Sequence, residues 1–157
     1  RQQYLSTKFG SEDNANSVYQ RIADEGLKNK IFFQFNKIAK TPNSFLSHKL
    51  LAYAHNKNKQ TKVLELLFYK YFIEGEDIGS VNVLINAAKD ADIYDENIEK
   101  YIISAKDNDS LLNEEKHAKN IGISSVPCFI FNKEIVVNGA QPTKNFIQII
   151  ESLIRDV

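Results

Sequence analysis

Apolar residues recur at helical spacing over most of the first 120 residues. After Ser11, which suits a helix N-cap, the chain carries apolar residues at i, i+3, i+4 and i+7. Ser80 and Asp95 are predicted to cap later helices, and Gly122 to end the last one of this series. The six predicted apolar stripes are Ala15/Val18/Tyr19/Ile22, Leu46/Leu50/Tyr53/Ala54, Leu64/Leu67/Phe68/Tyr71/Phe72, Val81/Leu84/Ile85/Ala88, Ile98/Tyr101/Ile102/Ala105 and Leu111/Leu112/Ala118. Because each helix has one apolar and one polar face, we expect a helical layer or bundle.

The pattern changes near residue 121. Residues 126–131 are apolar on both faces, which is typical of a short strand buried inside a sheet. Asn132-Lys133 is a candidate turn into a second strand at 134–137, and Pro142 suits the first turn of a last helix. That helix carries the apolar stripe Phe146, Ile149, Ile150, Leu153 and Ile154. The sequence therefore predicts a mainly α protein with a small β part, divided into residues 1–120 and 121–157.

Two antiparallel strands alone are only marginally stable. Because these are the two strand candidates, we expect the sheet to be completed by another chain or by a preceding part of a longer protein. The polar start Arg1-Gln2-Gln3, which lacks Met, also favours a boundary within a longer protein.

Composition narrows the function classes. Twenty basic residues balance twenty acidic ones, so there is no electrostatic reason to expect a nucleic-acid partner. No apolar run approaches the roughly 20 residues that a membrane span requires, so we expect no membrane partner. Cys128 is the single cysteine, which excludes a disulfide within these 157 residues.

Short motifs along the whole chain resemble one protein family. A small residue, Val-Pro, an apolar strand, a hairpin and a final helix are similar to the second half of a thioredoxin-like domain. Other segments resemble the FrnE-like branch of the DsbA family, a group of thiol–disulfide oxidoreductases. The segments that carry the resemblance are residues 1–10, 39–51 (with Pro42-Asn43-Ser44-Phe45 and His48), 67–78, 122–127 and 137–142. Lys49, where the branch usually has Arg, and Cys128, where it usually has an apolar residue, depart from the pattern.

The resemblance implies a thioredoxin-like fold with a large helical insertion. In that family a strand–Cys-x-x-C–helix–strand unit precedes the region matched here, so we expect this chain to lack the redox cysteines and to be inactive alone. The resemblance also implies that Pro127 follows a cis bond as the catalytic loop proline. It further implies that Ser125 and Val126 bind substrate with Asn43 and His48, that the helical part shapes their groove, and that no cofactor is needed.

Several of these residues have simpler interpretations. Cys128 is either an accessory thiol or, as strand alternation favours, a small buried hydrophobic residue. His48 and His55 share a helix face, but no third ligand has suitable spacing, so we expect no metal site. Asn43 is as well suited to cap the helix that starts near Phe45 as to bind substrate.

Three functions remain open. The first is part of a FrnE-like oxidoreductase that acts on protein or peptide thiols and disulfides in the cytoplasm. The second is a glutathione-dependent enzyme similar to hydroxychromene-carboxylate isomerases and kappa-class transferases, which would make glutathione a partner. The third is a non-catalytic binding or structural module. A homodimer is a further expectation, because an unmatched sheet edge can pair with a second copy.

Overall fold

Helices make up most of the chain in the computed structural model, which describes residues 2–155 and side chains from residue 5 onward. Within those residues there are eight α-helices, one 3₁₀ turn, one π-helical turn and two strands. They are α1 (Gln2–Phe9), α2 (Glu12–Lys28), a 3₁₀ turn (Phe35–Lys37), α3 (Phe45–His55), α4 (Gln60–Tyr69), a π-helical turn (Lys70–Glu74), α5 (Val81–Asp90), α6 (Ile98–Ile103), α7 (Asn108–Asn120), β1 (Cys128–Phe131), β2 (Ile135–Asn138) and α8 (Thr143–Arg155). The predicted class, mainly α with a small β part, is confirmed.

The predicted helix starts are only partly correct. Ser11 caps α2, and its Oγ accepts a hydrogen bond of 3.1 Å from the backbone N–H of Asn14. Ser80 precedes α5 but makes no side-chain capping bond. The prediction that Asp95 caps the next helix is wrong, because α6 begins at Ile98 after Asn97. The Asp95 carboxylate instead accepts from the N–H of Asn97, within a turn that precedes the helix.

The chain divides into two compact units, Arg1–Asn108 and Asp109–Val157. The predicted boundary at residue 120 lies at the end of α7, and the division of the chain into the two compact units falls at the start of that helix. The core of the first unit is built by α3, α4, α5 and α6. It includes five large apolar side chains that are fully excluded from solvent, namely Leu50, Val63, Leu84, Ile98 and Ile102. Burying side chains of this size is worth about 1.5–3 kcal/mol each, so these helices dominate the stability of the unit.

The third predicted stripe has the wrong face. Val63 and Leu67 are buried on α4, whereas Phe68 is 54% exposed and Leu64 is also exposed. This segment is apolar on nearly every side, so its periodicity could not select the buried face. The π-helical turn after Tyr69 then changes the helical phase, because a π turn takes in more residues than an α turn.

The second unit contains the β-hairpin and α8. β1 and β2 pair antiparallel, with Phe131 opposite Ile135. Asn132 and Lys133 both have positive φ, as the predicted hairpin turn requires, and the N–H of Glu134 donates to the Phe131 carbonyl. This turn is confirmed, and the returning strand begins one residue later than predicted.

The prediction that the first strand is buried on both faces is wrong for the residues described here. Within residues 2–155, β1 pairs with β2 alone, and Phe129 and Ile130 remain 37% and 44% exposed. One face of the hairpin packs on α8, where the Phe129 and Phe146 rings lie 4.7 Å apart. The apolar stripe of α8 is only partly covered, since Ile150 and Ile154 stay exposed.

Candidate functional site

The first part of the candidate site is the loop that joins α7 to β1. Helix α7 ends in a Schellman motif: the N–H of Gly122 donates to the Lys119 carbonyl, and the N–H of Ile123 donates to the Ala118 carbonyl. Gly122 has φ of +86°, a backbone conformation that glycine adopts without steric cost. The helix therefore ends where the sequence predicted, and the chain turns into the loop that carries Ser125.

The loop presents its residues to solvent just before the first strand. The Val126–Pro127 peptide bond is cis. The Val126 side chain is 87% exposed, and Ser125 and Pro127 are also exposed. The Pro127 carbonyl accepts a 2.7 Å hydrogen bond from the N–H of Gly139, so the hairpin fixes the position of the loop end. An exposed, anchored loop of this kind can present backbone groups to an extended peptide.

Cys128 follows directly on β1. It is a free cysteine of intermediate burial, and its backbone lies opposite Asn138 in the hairpin. Side chains alternate along a strand, so Cys128 lies on the hairpin face opposite to Phe129, whose ring packs on α8. The residue is therefore less buried than a core hydrophobic residue would be. The four residues 125–128 form one contiguous patch in the second unit.

Asn43 and His48 lie in the first unit, at the start of α3. The Asn43 Oδ1 atom accepts a 3.0 Å hydrogen bond from the N–H of Phe45, the first residue of the helix. Ser44, which immediately precedes the helix, makes no side-chain capping bond. Asn43 thus satisfies one of the free N–H groups of the helix end, which supports its simpler interpretation. The His48 side chain is exposed on α3.

A neighbouring loop holds this helix start in place. The Ser47 hydroxyl donates to the Ile78 carbonyl at 2.6 Å. Asp77 accepts from the N–H of Gly79 and from the Lys40 ammonium group, and these bonds hold the pKa of Asp77 below its usual value, chiefly through Lys40. A Cβ at Gly79 would lie 2.8 Å from the Asn43 carbonyl oxygen, so a larger residue there would displace this loop.

Sequence reasoning missed the role of Lys49. Its side chain is fully excluded from solvent, and its ammonium group donates to the Ser104 carbonyl and to Asn108 Oδ1. The same group lies 5.1 Å from the centre of the Tyr101 ring. Burial lowers the pKa of Lys49, and burial with the hydrogen bond to Asp107 raises the pKa of Tyr101 to about 12. The family position where Arg is usual was the available signal, since a guanidinium could reach the same acceptors.

Among residues 2–155, no group of three or more His, Cys, Asp and Glu side chains is arranged to hold a metal ion. None of the helices in that range is both long enough and apolar enough to cross a membrane.

A family model described as a DSBA-like thioredoxin domain matches residues 6–151. A crystal structure of a probable DsbA oxidoreductase from Streptomyces coelicolor superposes with a TM-score of 0.82 at 20% sequence identity. The superposition covers 96% of this chain and 65% of the other, so this chain spans less than two thirds of that protein. Among curated proteins no relative matches.

Proposed function

The chain belongs to the DSBA-like thioredoxin domain family, and on this basis we propose that it is part of a FrnE-like thiol–disulfide oxidoreductase acting on proteins in the cytoplasm. The observation that carries the proposal is the family match over residues 6–151, which includes the exposed loop at Ser125, Val126 and Pro127. A binding loop must be accessible to a polypeptide, and this one is.

The reaction proposed for the whole protein is dithiol–disulfide exchange. A thiolate attacks one sulfur of a substrate disulfide, and the other substrate sulfur leaves as a thiolate. A second thiolate of the enzyme then attacks the mixed disulfide, which releases the reduced substrate and leaves an enzyme disulfide. Because the chain has one cysteine, residues 1–157 alone cannot supply both thiols, and we propose that they are inactive by themselves.

The residues of this chain would bind and position the substrate. We propose that the backbone of Val126 pairs with an extended substrate segment beside Pro127, as exposed main-chain groups do in peptide recognition. Ser125 would contribute a hydroxyl at the same loop. Asn43 and His48 would contribute polar contacts from the helical unit, although the Asn43 side chain already accepts a bond from Phe45. Cys128 would be an accessory thiol that is not required for turnover.

An insulin-reduction assay tests the proposal on the full-length protein that contains these residues. We expect turnover by the full-length protein with a dithiol reductant, and none by residues 1–157 alone. Val126 is 87% exposed, so its side chain would contact a bound substrate. Val126→Glu would place a charge at that contact and should raise the KM for a protein substrate several-fold. Val136→Glu is the matched control, since Val136 is an exposed valine on β2 and should leave KM unchanged.

The outcomes separate the alternatives. Glutathione-dependent isomerisation or transfer without protein dithiol exchange would contradict the proposal and support the glutathione-using relatives. Absence of any turnover by the full-length protein would support a binding or structural module. Equal KM values for Val126→Glu and the control would remove the loop from the substrate site while leaving the enzyme class intact.

A further inference from the structure

A turn in the second unit joins β2 to α8 and is bonded to the loop at residues 125–127, which will be called the Val126 loop. The turn comprises residues 138–142, where the chain leaves the hairpin and enters the last helix. Gly139 within it has φ of +78°, which ends the extended conformation of the strand. The hydrogen bonds of this turn connect α8 to the end of the Val126 loop.

One peptide group of the turn holds the end of the Val126 loop. This group joins Asn138 to Gly139, and its N–H donates to the Pro127 carbonyl at 2.7 Å. Because proline has no N–H, Pro127 and Gly139 cannot exchange the second hydrogen bond that is usual in an antiparallel pair. The pyrrolidine ring fixes φ of Pro127, so the anchored carbonyl also restrains the peptide group that precedes the ring. The orientation of one peptide plane in the turn therefore bears on the backbone of Val126.

A glutamine side chain holds the same peptide group from its other side. Gln141 Nε2 donates to the Asn138 carbonyl at 3.2 Å. The peptide group between Asn138 and Gly139 is trans and planar, so its C=O and N–H point in opposite directions. Gln141 therefore restrains the plane at the carbonyl, and Pro127 restrains it at the N–H.

A second side chain fixes the orientation of the glutamine. Asn145, in the first turn of α8, donates from Nδ2 to Gln141 Oε1 at 3.1 Å, and both side chains are half-buried. Because the Asn138 carbonyl can only accept, the Gln141 amide must direct its nitrogen there and its oxygen to Asn145. The two side-chain amides thus form a chain of hydrogen bonds from α8 to the Asn138 carbonyl. Hydrogen bonds in such a chain polarise and strengthen one another.

We propose that Gln141 is a positioning residue for polypeptide substrates, acting through the Asn138–Gly139 peptide group on the Pro127 carbonyl. This role rests on the proposed function, because it requires that the Val126 backbone pairs with an extended substrate. Gln141 keeps that backbone in the orientation for pairing and need not touch the substrate itself. A binding group that is already ordered loses less conformational freedom on binding, so removal of Gln141 weakens the binding of a polypeptide. A small disulfide that makes no backbone pairing is turned over as before.

Kinetics of the full-length protein, with dithiothreitol as reductant, test the role in substrate binding. Gln141→Met keeps an uncharged side chain of similar length and removes both amide hydrogen bonds. We expect it to raise the KM for insulin about fivefold, the factor that corresponds to one hydrogen bond, and to leave kcat unchanged. Turnover of hydroxyethyl disulfide, corrected for the uncatalysed rate, should equal that of the wild type. Gln148→Met is the matched control, because Gln148 is an exposed glutamine on α8 and should leave both substrates unaffected.

Amide hydrogen exchange at Gly139, followed by NMR on the same full-length proteins, tests the restraint without an activity assay. We expect exchange of this N–H to be about fivefold faster in Gln141→Met than in the wild type. Asn145→Ala leaves the bond from Gln141 to Asn138 in place, so its increase should be smaller. Gln148→Met should exchange at the wild-type rate. Circular dichroism before and after heating checks that each variant folds.

The results distinguish failure of this proposal from failure of the proposed function. Unchanged exchange at Gly139 in Gln141→Met would overturn the proposal, since the side chain would then not restrain the peptide group. Equal KM values of Gln141→Met and Gln148→Met for insulin, in an active enzyme, would also overturn it. Equal losses with insulin and hydroxyethyl disulfide would reduce Gln141 to a general structural role. A wild-type protein that reduces neither substrate would contradict the proposed function, and with it the substrate role of Gln141.

Discussion

Replacing Lys49 by Met tests how the helical unit stabilises a fully buried lysine. Met keeps most of the aliphatic stem and removes the ammonium donors. Two acceptors, the Ser104 carbonyl and Asn108 Oδ1, then lose a hydrogen bond from a charged donor. The aliphatic packing within the core is preserved, so the expected change in stability comes mainly from these two polar groups.

The magnitude follows from the burial of the two acceptors. Ser104 and Asn108 are both only partly buried, so each can regain some hydration when the ammonium is gone. We therefore expect about 1 kcal/mol for each lost bond, or about 2 kcal/mol in total at pH 7. For a unit of this size that corresponds to a fall in Tm of about 8 °C.

The pH dependence gives an independent check. Burial holds the pKa of Lys49 below its ordinary value of 10.5, so between the folded-state pKa and 10.5 the unfolded chain binds more protons than the folded chain. Stability of the wild type must then rise with pH across that interval, and the Met variant lacks this contribution. We expect the difference in unfolding free energy between the two proteins to be larger at pH 10 than at pH 7.

Urea unfolding followed by circular dichroism at both pH values measures the effect. Lys106→Met is the control, since Lys106 is exposed and lies 5.9 Å from the centre of the same Tyr101 ring. Its loss should change stability by less than about 0.5 kcal/mol. A Lys49→Met protein that is as stable as the wild type at pH 7 would refute the reasoning, because apolar packing would then replace the charged bonds without loss.

Further predictions concern glycine positions and a surface carboxylate. Gly75→Ala should destabilise the chain by at least about 2 kcal/mol in thermal unfolding, because φ is +78° and the new Cβ would lie 2.6 Å from that of Lys37. Gly139→Ala, with the same φ and nothing within 4 Å, should cost clearly less, and equal costs would contradict the steric argument. Hydrogen bonds led by that of Lys57 hold the pKa of Asp95 at about 2, below its ordinary 3.8. The contribution of the ionised Asp95 to the free energy of unfolding is therefore fully present above pH 3.8 and is lost as the pH falls toward 2. Acid titration should show that Asp95→Asn removes this part of the acid dependence, and an unchanged titration would exclude the pairing.

Much of the fold could be predicted from sequence because local patterns determine it. Helical periodicity located α2 to α8 but not α1, and Ser11 and Gly122 marked a start and an end through hydrogen bonds made within a few residues. The two-residue turn at Asn132 was readable for the same reason. The motifs at Ser125-Val126-Pro127 also indicated the family, which the match over residues 6–151 establishes.

The tertiary structure decided which residues those patterns bury. Lys49 reads as a polar helix position, yet it is buried. Its acceptor Ser104 lies 55 residues away in sequence, so no local pattern could reveal the contact. Phe68 reads as a core residue, yet it faces solvent because Val63 and Leu67 fill the core side of α4. Periodicity reports that a helix has faces, whereas burial depends on contacts between segments far apart in the chain. For that reason the sequence alone indicated the family and most of the elements of this protein, and only the packed structure determined which residues it buries, Lys49 among them.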